Sequence, residues 1–346
     1  MQTEITQAQD LLDAKGRIIQ EGWARHPYWN YERSKIKGGA LKIKEWDYYA
    51  IINQQQGYAV TATISDLGYA ALFALSYVDF NAAKVSQADA LTFFPRGSIG
   101  LAPSSTEDSQ VSWANKKLRM AFIKRGLQRH IMVACPTLVL PDGTVGLDYD
   151  ITLTQAESSE SLNIATSWKQ QRKAFYLNEK VNCLKATGTI RRGMETENLL
   201  LGEAWGVLDW GRGRWTYQNT WYWASASGLL ENVPFGLNLG YGFSDRTPAS
   251  ENAIFYNNCI HKLGEVSFHF NQEDMLAPWT MQDEQGRLDL VFEACVDRSS
   301  NTNFLIIKSD QHQVFGYFSG TCTLDDGTKL QIDRLLGFAE QVYNRW

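Results

Sequence analysis

The sequence predicts a mainly β protein, built as two antiparallel barrels or sandwiches packed together with few short helices. Three observations carry that reading. After the first fifty residues, apolar and polar residues alternate with the period of a half-buried strand. Aromatic residues, which favour strands, make up 12% of the 346 residues, with 12 Trp, 15 Tyr and 16 Phe. Turn residues (Gly, Asn and Asp) separate one strand pattern from the next. The length suggests two domains at about 150 residues each. The polar stretch 155–161 (QAESSES) divides the chain into 1–155 and 156–346. Each part is long enough for one barrel of about eight to ten strands.

Residues 7–14 fit a short helix. In 117–123 (KLRMAFI), Leu118, Met120 and Phe122 point one way and Lys117 and Arg119 the other. Residues 128–135 return as the hairpin partner. A Pro-Asp-Gly turn at 141–143 leads into a strand over 145–154. Further on, Leu237, Leu239, Tyr241 and Phe243 share one strand face, and Leu288, Leu290, Phe292 and Ala294 share another. Asp325-Asp326-Gly327 divides two short strand patterns. Asp333 caps a final helix through about Tyr343, with Leu336, Ala339 and Val342 on one side.

Composition narrows the function. Hydrophobic residues are 44% and charged residues 21%, ordinary for a soluble globular chain, and the net charge of −5 does not favour nucleic acid. The six Lys and Arg of 115–130 alternate with apolar residues, so they read as a solvated hairpin face. No stretch approaches the roughly 18 apolar residues of a membrane span. The N-terminus carries acids and no apolar core, so no secretory signal is expected. Five cysteines at wide spacings (Cys135, Cys183, Cys259, Cys295 and Cys322) read as reduced thiols, and a cytoplasmic location is expected. No phosphate-cradling glycine loop occurs, and 96–100 (RGSIG) lacks the first glycine of a nucleophile elbow. The five histidines never fall at H-x-x-x-H spacing, and His261 and His269 share a face only on an unbroken strand. No cofactor and no metal are expected.

The densest segment is 205–252. Trp205, Trp210, Trp215, Trp221 and Trp223 fall within nineteen positions. If 219–225 is a strand, Trp221 and Trp223 share one face. Asp209, Arg212 and Arg214 lie among the tryptophans, and a guanidinium fork suits a carboxylate and stacks on indole. This predicts Asp209 held ionised by Arg212 or Arg214 in an aromatic pocket; a buried structural corner would look the same. Asn238 is the only polar side chain among glycines on its strand face, where a ligand or backbone can approach closely. Glu251, beside the tryptophan rim, is a candidate general acid if burial raises its pKa, and otherwise a loop carboxylate. His312 precedes the aromatic run Phe315-Gly316-Tyr317-Phe318, and Trp279 follows Pro278 as a further wall.

Taken together, LDWGRGRWTY, WYWASASG, GLNLGYG, SEN, APW, QHQVFGYFSG and GFAEQVYNRW resemble a bacterial family known as a domain of unknown function. GWAR, KEWDYY and ISDLGYA near the N-terminus extend the resemblance over nearly the whole chain. Members of that family end in G-W-A-E, where this chain has Phe338, so that aromatic position reads as packing. The family is distantly similar to carotenoid hydratases, tocopherol cyclases and fungal lipocalin-like pericyclases. That similarity implies two lipocalin-like barrels with an apolar ligand cavity, and it carries no catalytic residue across.

Three functions fit these readings. The first is a binding protein for an apolar molecule, isoprenoid- or lipid-like, inside one barrel. Trp205, Trp215, Trp221, Trp223 and Tyr241 would form its walls, with Arg212, Arg214 or Asn238 holding a polar end. The second is a cofactor-free hydratase, cyclase or isomerase in which Asp209 or Glu251 protonates a C=C bond and tryptophan faces stabilise the cation. In the third, the aromatics are only core. Ligand identity and oligomeric state are not written in the sequence.

Overall fold

A computed structural model of the chain describes residues 2–304 and 307–345. Among them there is no α-helix, and only two 3-10 turns, Arg33–Lys35 and Ala40–Lys42, interrupt the strands. In chain order these are β1 (Gln9–Asp10), β2 (Gly22–Ala24), β3 (Trp29–Asn30), β4 (Ile43–Asn53), β5 (Tyr58–Asp66), β6 (Ala70–Asp79) and β7 (Lys84–Phe93). Then come β8 (Ser109–Ala114), β9 (Arg119–Arg125), β10 (Gln128–Val139), β11 (Val145–Thr154), β12 (Leu162–Trp168), β13 (Gln171–Arg192) and β14 (Glu195–Arg214). The remainder supplies β15 (Gln218–Leu230), β16 (Val233–Tyr241), β17 (Ala253–Tyr256), β18 (Cys259–Lys262) and β19 (Val266–His269). Last are β20 (Trp279–Asp283), β21 (Leu288–Phe304), β22 (Ile307–Thr323) and β23 (Lys329–Arg345).

Among the described residues, β2 and β4 to β14 form a twelve-stranded antiparallel sheet. Its order is β7-β6-β5-β4-β14-β13-β11-β10-β9-β8, with β12 beside β13. Strands β15 to β23 form a nine-stranded antiparallel sheet in the order β18-β17-β16-β15-β23-β22-β21-β20-β19. Each sheet curls around a core of its own. Trp113 of β8 stacks on Phe73 of β6 at 4.0 Å, although these strands lie near opposite ends of the first sheet. Tyr241 of β16 meets Phe268 of β19 edge-on at 5.3 Å, which brings the ends of the second sheet together.

The backs of the two curled sheets pack on one another. Along β4, Tyr49 and Ile51 enter the first sheet's core, while Tyr48, Ala50 and Ile52 face the second sheet. Along β15, Ala224 and Ala226 enter the second core, while Trp223 faces the first sheet. Val207, Phe315, Leu336 and Phe338 join that middle layer. Full burial of each such apolar side chain contributes about 1.5–3 kcal/mol. The turn residue Gln54 fastens the join: its amide donates to the carbonyls of Ser227 and Leu336, and its oxygen accepts from Leu336 N–H.

Several sequence expectations meet a different structure. The final helix is instead β23. This strand is buried on both faces around Leu336, Phe338 and Ala339, so its apolar run lacks a period of two and imitates a helical face. Residues 7–14 are not helical: β1 pairs with β3, and Asp13 closes a turn on the N–H groups of Lys15 and Arg17. The patterns flanking Asp325-Asp326-Gly327 belong to strands of 17 residues each. Phe243 leaves the face of Leu237, Leu239 and Tyr241, because Gly242 at φ +120° ends the extended run. Residues 155–161 join β11 to β12 within the first sheet, and the chain passes between sheets at 215–217. His261 and His269 sit on separate strands, β18 and β19. The hairpins β9–β10 and β10–β11 pair as their alternation predicts. All five cysteines are free thiols. Among the described residues, no helix is long and apolar enough to cross a membrane.

Candidate functional site

Where the sheets diverge from their packed layer, they leave a cavity of about 200 Å³, partly open to solvent. It lies between the two sheets and not inside either barrel. The reason is register. In the first sheet Lys180, Asp209, Tyr48, Thr63 and Ala74 are successive cross-strand partners on the face turned to the second sheet. In the second, Gly240, Trp223, Glu340, Gln313 and Arg298 form the corresponding row. Side chains of one row share a face, so both rows look into the same space. Trp46, Tyr176, Trp215, Trp221 and Phe243 close it with aromatic surface.

Lys180 and three carboxyls meet in this aromatic setting, and Lys44 also lies on the lining. The buried Lys180 Nζ lies 3.0 Å from Asp209 Oδ1, 3.8 Å from Glu251 Oε2 and 3.9 Å from the Trp223 ring centroid. Asp209 also accepts a short hydrogen bond from Asn178. Glu251 is buried, which raises its pKa against the opposing charge of Lys180. The Tyr176 hydroxyl donates to Glu251; burial and the neighbouring Glu251 and Asp209 push the phenol well above its usual range, so it stays protonated. Glu340 lies across the cavity. Its Oε1 accepts from Trp221 Nε1 at 2.9 Å and its Oε2 from Gln313 Nε2 at 3.2 Å. Arg298 donates in turn to the Gln313 oxygen at 2.9 Å. Burial pushes the Glu340 carboxyl up to about 7, although the Trp221 hydrogen bond and the charge of Lys180 oppose it. Near neutral pH this group both holds and releases a proton, as a general acid must.

The supporting residues fix these positions. Asn238 Oδ1 accepts from Trp223 Nε1 at 2.7 Å, and its Nδ2 donates to the Glu251 carbonyl at 2.7 Å. Asn252 Oδ1 accepts from Gly240 N–H at 2.7 Å. A Cβ on Gly240 would stand 3.0 Å from Glu251 Oε2, so the bare backbone leaves room for that carboxyl. A Cβ on Gly211 would meet two Trp46 ring atoms at 2.1 Å, so the indole lies directly over that glycine.

Among the residues singled out from sequence, Asp209, Glu251, Trp215, Trp221 and Trp223 line the cavity. Asn238 stands behind it. The others lie elsewhere. Arg212 and Arg214 are an odd number of residues from Asp209, so strand alternation puts them on the opposite face. Arg212 pairs with Asp47 at 2.9 Å and stacks over Trp210 at 4.2 Å. The cation beside Asp209 is therefore Lys180, its direct cross-strand partner. Trp205 is buried four residues further along β14, past the packed Val207. Tyr241 stacks on Tyr222 at 4.7 Å, and Trp279 stacks on Phe270 at 4.0 Å, both against the second sheet's own core. His312 bonds to Asp297 at 2.7 Å on the side of β22 away from Gln311 and Gln313. Sequence reasoning passed over Lys180, Tyr176, Trp46, Tyr48, Gln313 and Glu340. The available signal was the polar run Asn178-Glu179-Lys180 inside an apolar strand and the acid of GFAE. No three His, Cys, Asp or Glu side chains among the described residues are placed to hold a metal ion.

The family described as Domain of unknown function (DUF2804) matches residues 2–346, and the chain belongs to that family. No curated protein matches it. Solved structures share its fold at low identity. CghA bound to Sch210972 has a TM-score of 0.54 at 9% identity, covering 88% of this chain and 89% of that one. Kievitone hydratase from Nectria haematococca has a TM-score of 0.51 at 10% identity, covering 90% of this chain and 93% of that one. The AttH-like protein of Nitrosomonas europaea has a TM-score of 0.51 at 12% identity, covering 88% and 92% respectively. The lipocalin-like two-barrel architecture is thus common to this chain and these proteins.

Proposed function

We propose, with that family membership as premise, that the cavity binds a largely apolar small molecule and transfers a proton to one of its C=C bonds without a cofactor. The observation that carries this reading is the pair of facing cross-strand rows. They bring Glu340, Asp209, Glu251 and Lys180 into one aromatic-walled space. A purely structural core would not leave about 200 Å³ open beside a carboxyl with its pKa near 7. For comparison, a dry cavity of about 150 Å³ accepts benzene.

In the proposed step, the Glu340 carboxyl gives its proton to one alkene carbon, and the other carbon becomes electron-poor. Attack by water with loss of its proton completes hydration, attack by a second C=C bond followed by proton loss from the new cation completes cyclisation, and loss of a neighbouring proton alone completes isomerisation. The Glu340 carboxylate takes back the proton released. Indole surface of Trp46, Trp215 and Trp221 borders the space where the positive charge develops, and the face of Trp223 carries Lys180. Asp209 and Glu251 balance Lys180, so the electron-poor carbon does not face an unpaired ammonium. The presence of a hydratase among the fold neighbours is compatible with this chemistry as analogy only.

The test begins with native mass spectrometry of the purified protein and an organic extract of the same sample, to name a bound compound class. Alkenes of that class, or geraniol if none is found, are then incubated with the protein in D₂O. Deuterium on a carbon of the former double bond with wild type but not with Glu340→Gln is the expected result. Saturable quenching of tryptophan fluorescence without deuterium uptake would leave a binding protein. An absence of both would return the aromatics to a structural role.

A further inference from the structure

The face that lines the cavity does not stop at its mouth. The next row of the first sheet, outward from Tyr48, runs Trp46, Ser65, Leu72 and Leu91 as successive cross-strand partners. Trp46, Ser65 and Leu72 line the cavity, and Leu91 follows on the edge strand β7 with 53% of its surface exposed. Two residues on, Phe93 takes the same face and is 73% exposed. The strand's direction is fixed at its other end. There Val85 packs into the layer between the sheets, while Ala88 and Ala90 turn to the first sheet's core. Leu91 and Phe93 therefore stand on the cavity's side of the sheet, one strand beyond the lining residue Leu72. Edge strands ordinarily carry charged or polar residues at exposed positions, and two large apolar groups here require a reason.

Resting on the reading above, we infer that the ligand is longer than the cavity: its reacting part sits among the aromatic residues, and an apolar chain leaves over Leu72, Leu91 and Phe93. The volume supports this. A cavity of about 200 Å³ holds roughly eight carbons, by proportion to the benzene-sized case. Across the cavity the second sheet contributes the polar Gln311 and the buried Asn344; on the first sheet Lys44 lies beside Trp46, and the apolar surface continues over Leu72 toward Leu91 and Phe93. The substrate class is therefore an alkene on an extended chain that outruns the roughly eight carbons the cavity holds, and not a compact bicyclic molecule.

The test compares geraniol with farnesol, which adds one isoprene unit, by quenching of tryptophan fluorescence below the aggregation concentration of either alcohol. Three proteins are used: wild type, Leu91→Gln with Phe93→Gln, and Leu200→Gln with Leu201→Gln. The last pair is equally exposed but lies at the other end of β14. Wild type and the control pair should bind farnesol at least tenfold more tightly than geraniol. The Leu91/Phe93 variant should lose most of that advantage and keep its geraniol affinity within twofold. An advantage that survives in this variant, or farnesol bound no better than geraniol by wild type, overturns the inference and leaves the cavity reading standing. If neither alcohol binds, the cavity reading fails and this inference with it.

Discussion

Replacing Glu340 by glutamine makes a measurable claim about the cavity before any substrate is known. The side chain is buried between Trp221 and Gln313, and its carboxyl is raised from 4.5 to about 7. At 1.36 kcal/mol per pH unit, ionising it in the folded state costs about 3 kcal/mol more than in the unfolded chain. The sign follows from proton counting. Well below pH 4.5 both states hold the proton, and the group makes no difference. Between 4.5 and about 7 the unfolded chain ionises first, so stability falls as the pH rises. Above about 7 the whole cost is present. Glutamine does not titrate, and its amide oxygen still accepts from Trp221. The variant should therefore gain on wild type by about 2.5 kcal/mol between pH 5 and pH 8. Urea unfolding followed by tryptophan fluorescence across that range reads the difference directly. Other titrating groups largely cancel, because both proteins share them. A gap that does not change with pH would refute the raised carboxyl and remove Glu340 as the acid.

Two further outcomes follow from the same cluster. Trp221→Phe removes the hydrogen bond that favours the Glu340 carboxylate, so the pH at which wild-type stability levels off should move upward in the same urea series. Lys180→Met leaves Asp209 and Glu251 facing each other without their cation, and should cost about 3–5 kcal/mol near neutral pH. That loss should shrink as the pH falls, and adding Asp209→Asn should restore part of it in thermal unfolding at pH 7.

The sequence discloses this fold where one face of a strand meets water and hides it where both faces are covered. Residues 145–154 announce β11 at its bounds because Leu147, Tyr149, Ile151 and Leu153 turn inward and their neighbours do not. Strand β23 carries the opposite case. Its Leu336 and Phe338 pack between the sheets and Ala339 into the second core, so no two-residue period survives, and a helix was the expectation. That single misreading also concealed Glu340, since an acid on a surface helix invites no question. The aromatic half of the site was easier to see, because Trp215, Trp221 and Trp223 are crowded into one segment. Apart from Glu251, its charged half comes from β13, β14 and β23, which meet only through the strand order and the packing of the two sheets.

The same geometry explains why the cavity lies between the barrels. A strand such as β4 gives alternate residues to two layers: Tyr49 to the first sheet's core, and Trp46 and Tyr48 to the space facing the second sheet. Inside each barrel a close-packed apolar core takes most of the space, as with the fully buried Phe73 and Trp279, and the first barrel also buries the Arg212–Asp47 pair. The polar residues Lys180, Asp209, Gln313 and Glu340 fall on the other face. There each finds a partner in the same sheet and a void in front. An unpaired buried charge costs several kcal/mol, so such a set persists only where its members satisfy one another. Burial raises the Glu340 carboxyl, and because Arg298 reaches it through Gln313 and not by a direct ion pair, that rise is largely kept. The separation of Arg298 from Glu340 by one uncharged side chain is therefore as much a part of the proposed chemistry as the carboxyl itself.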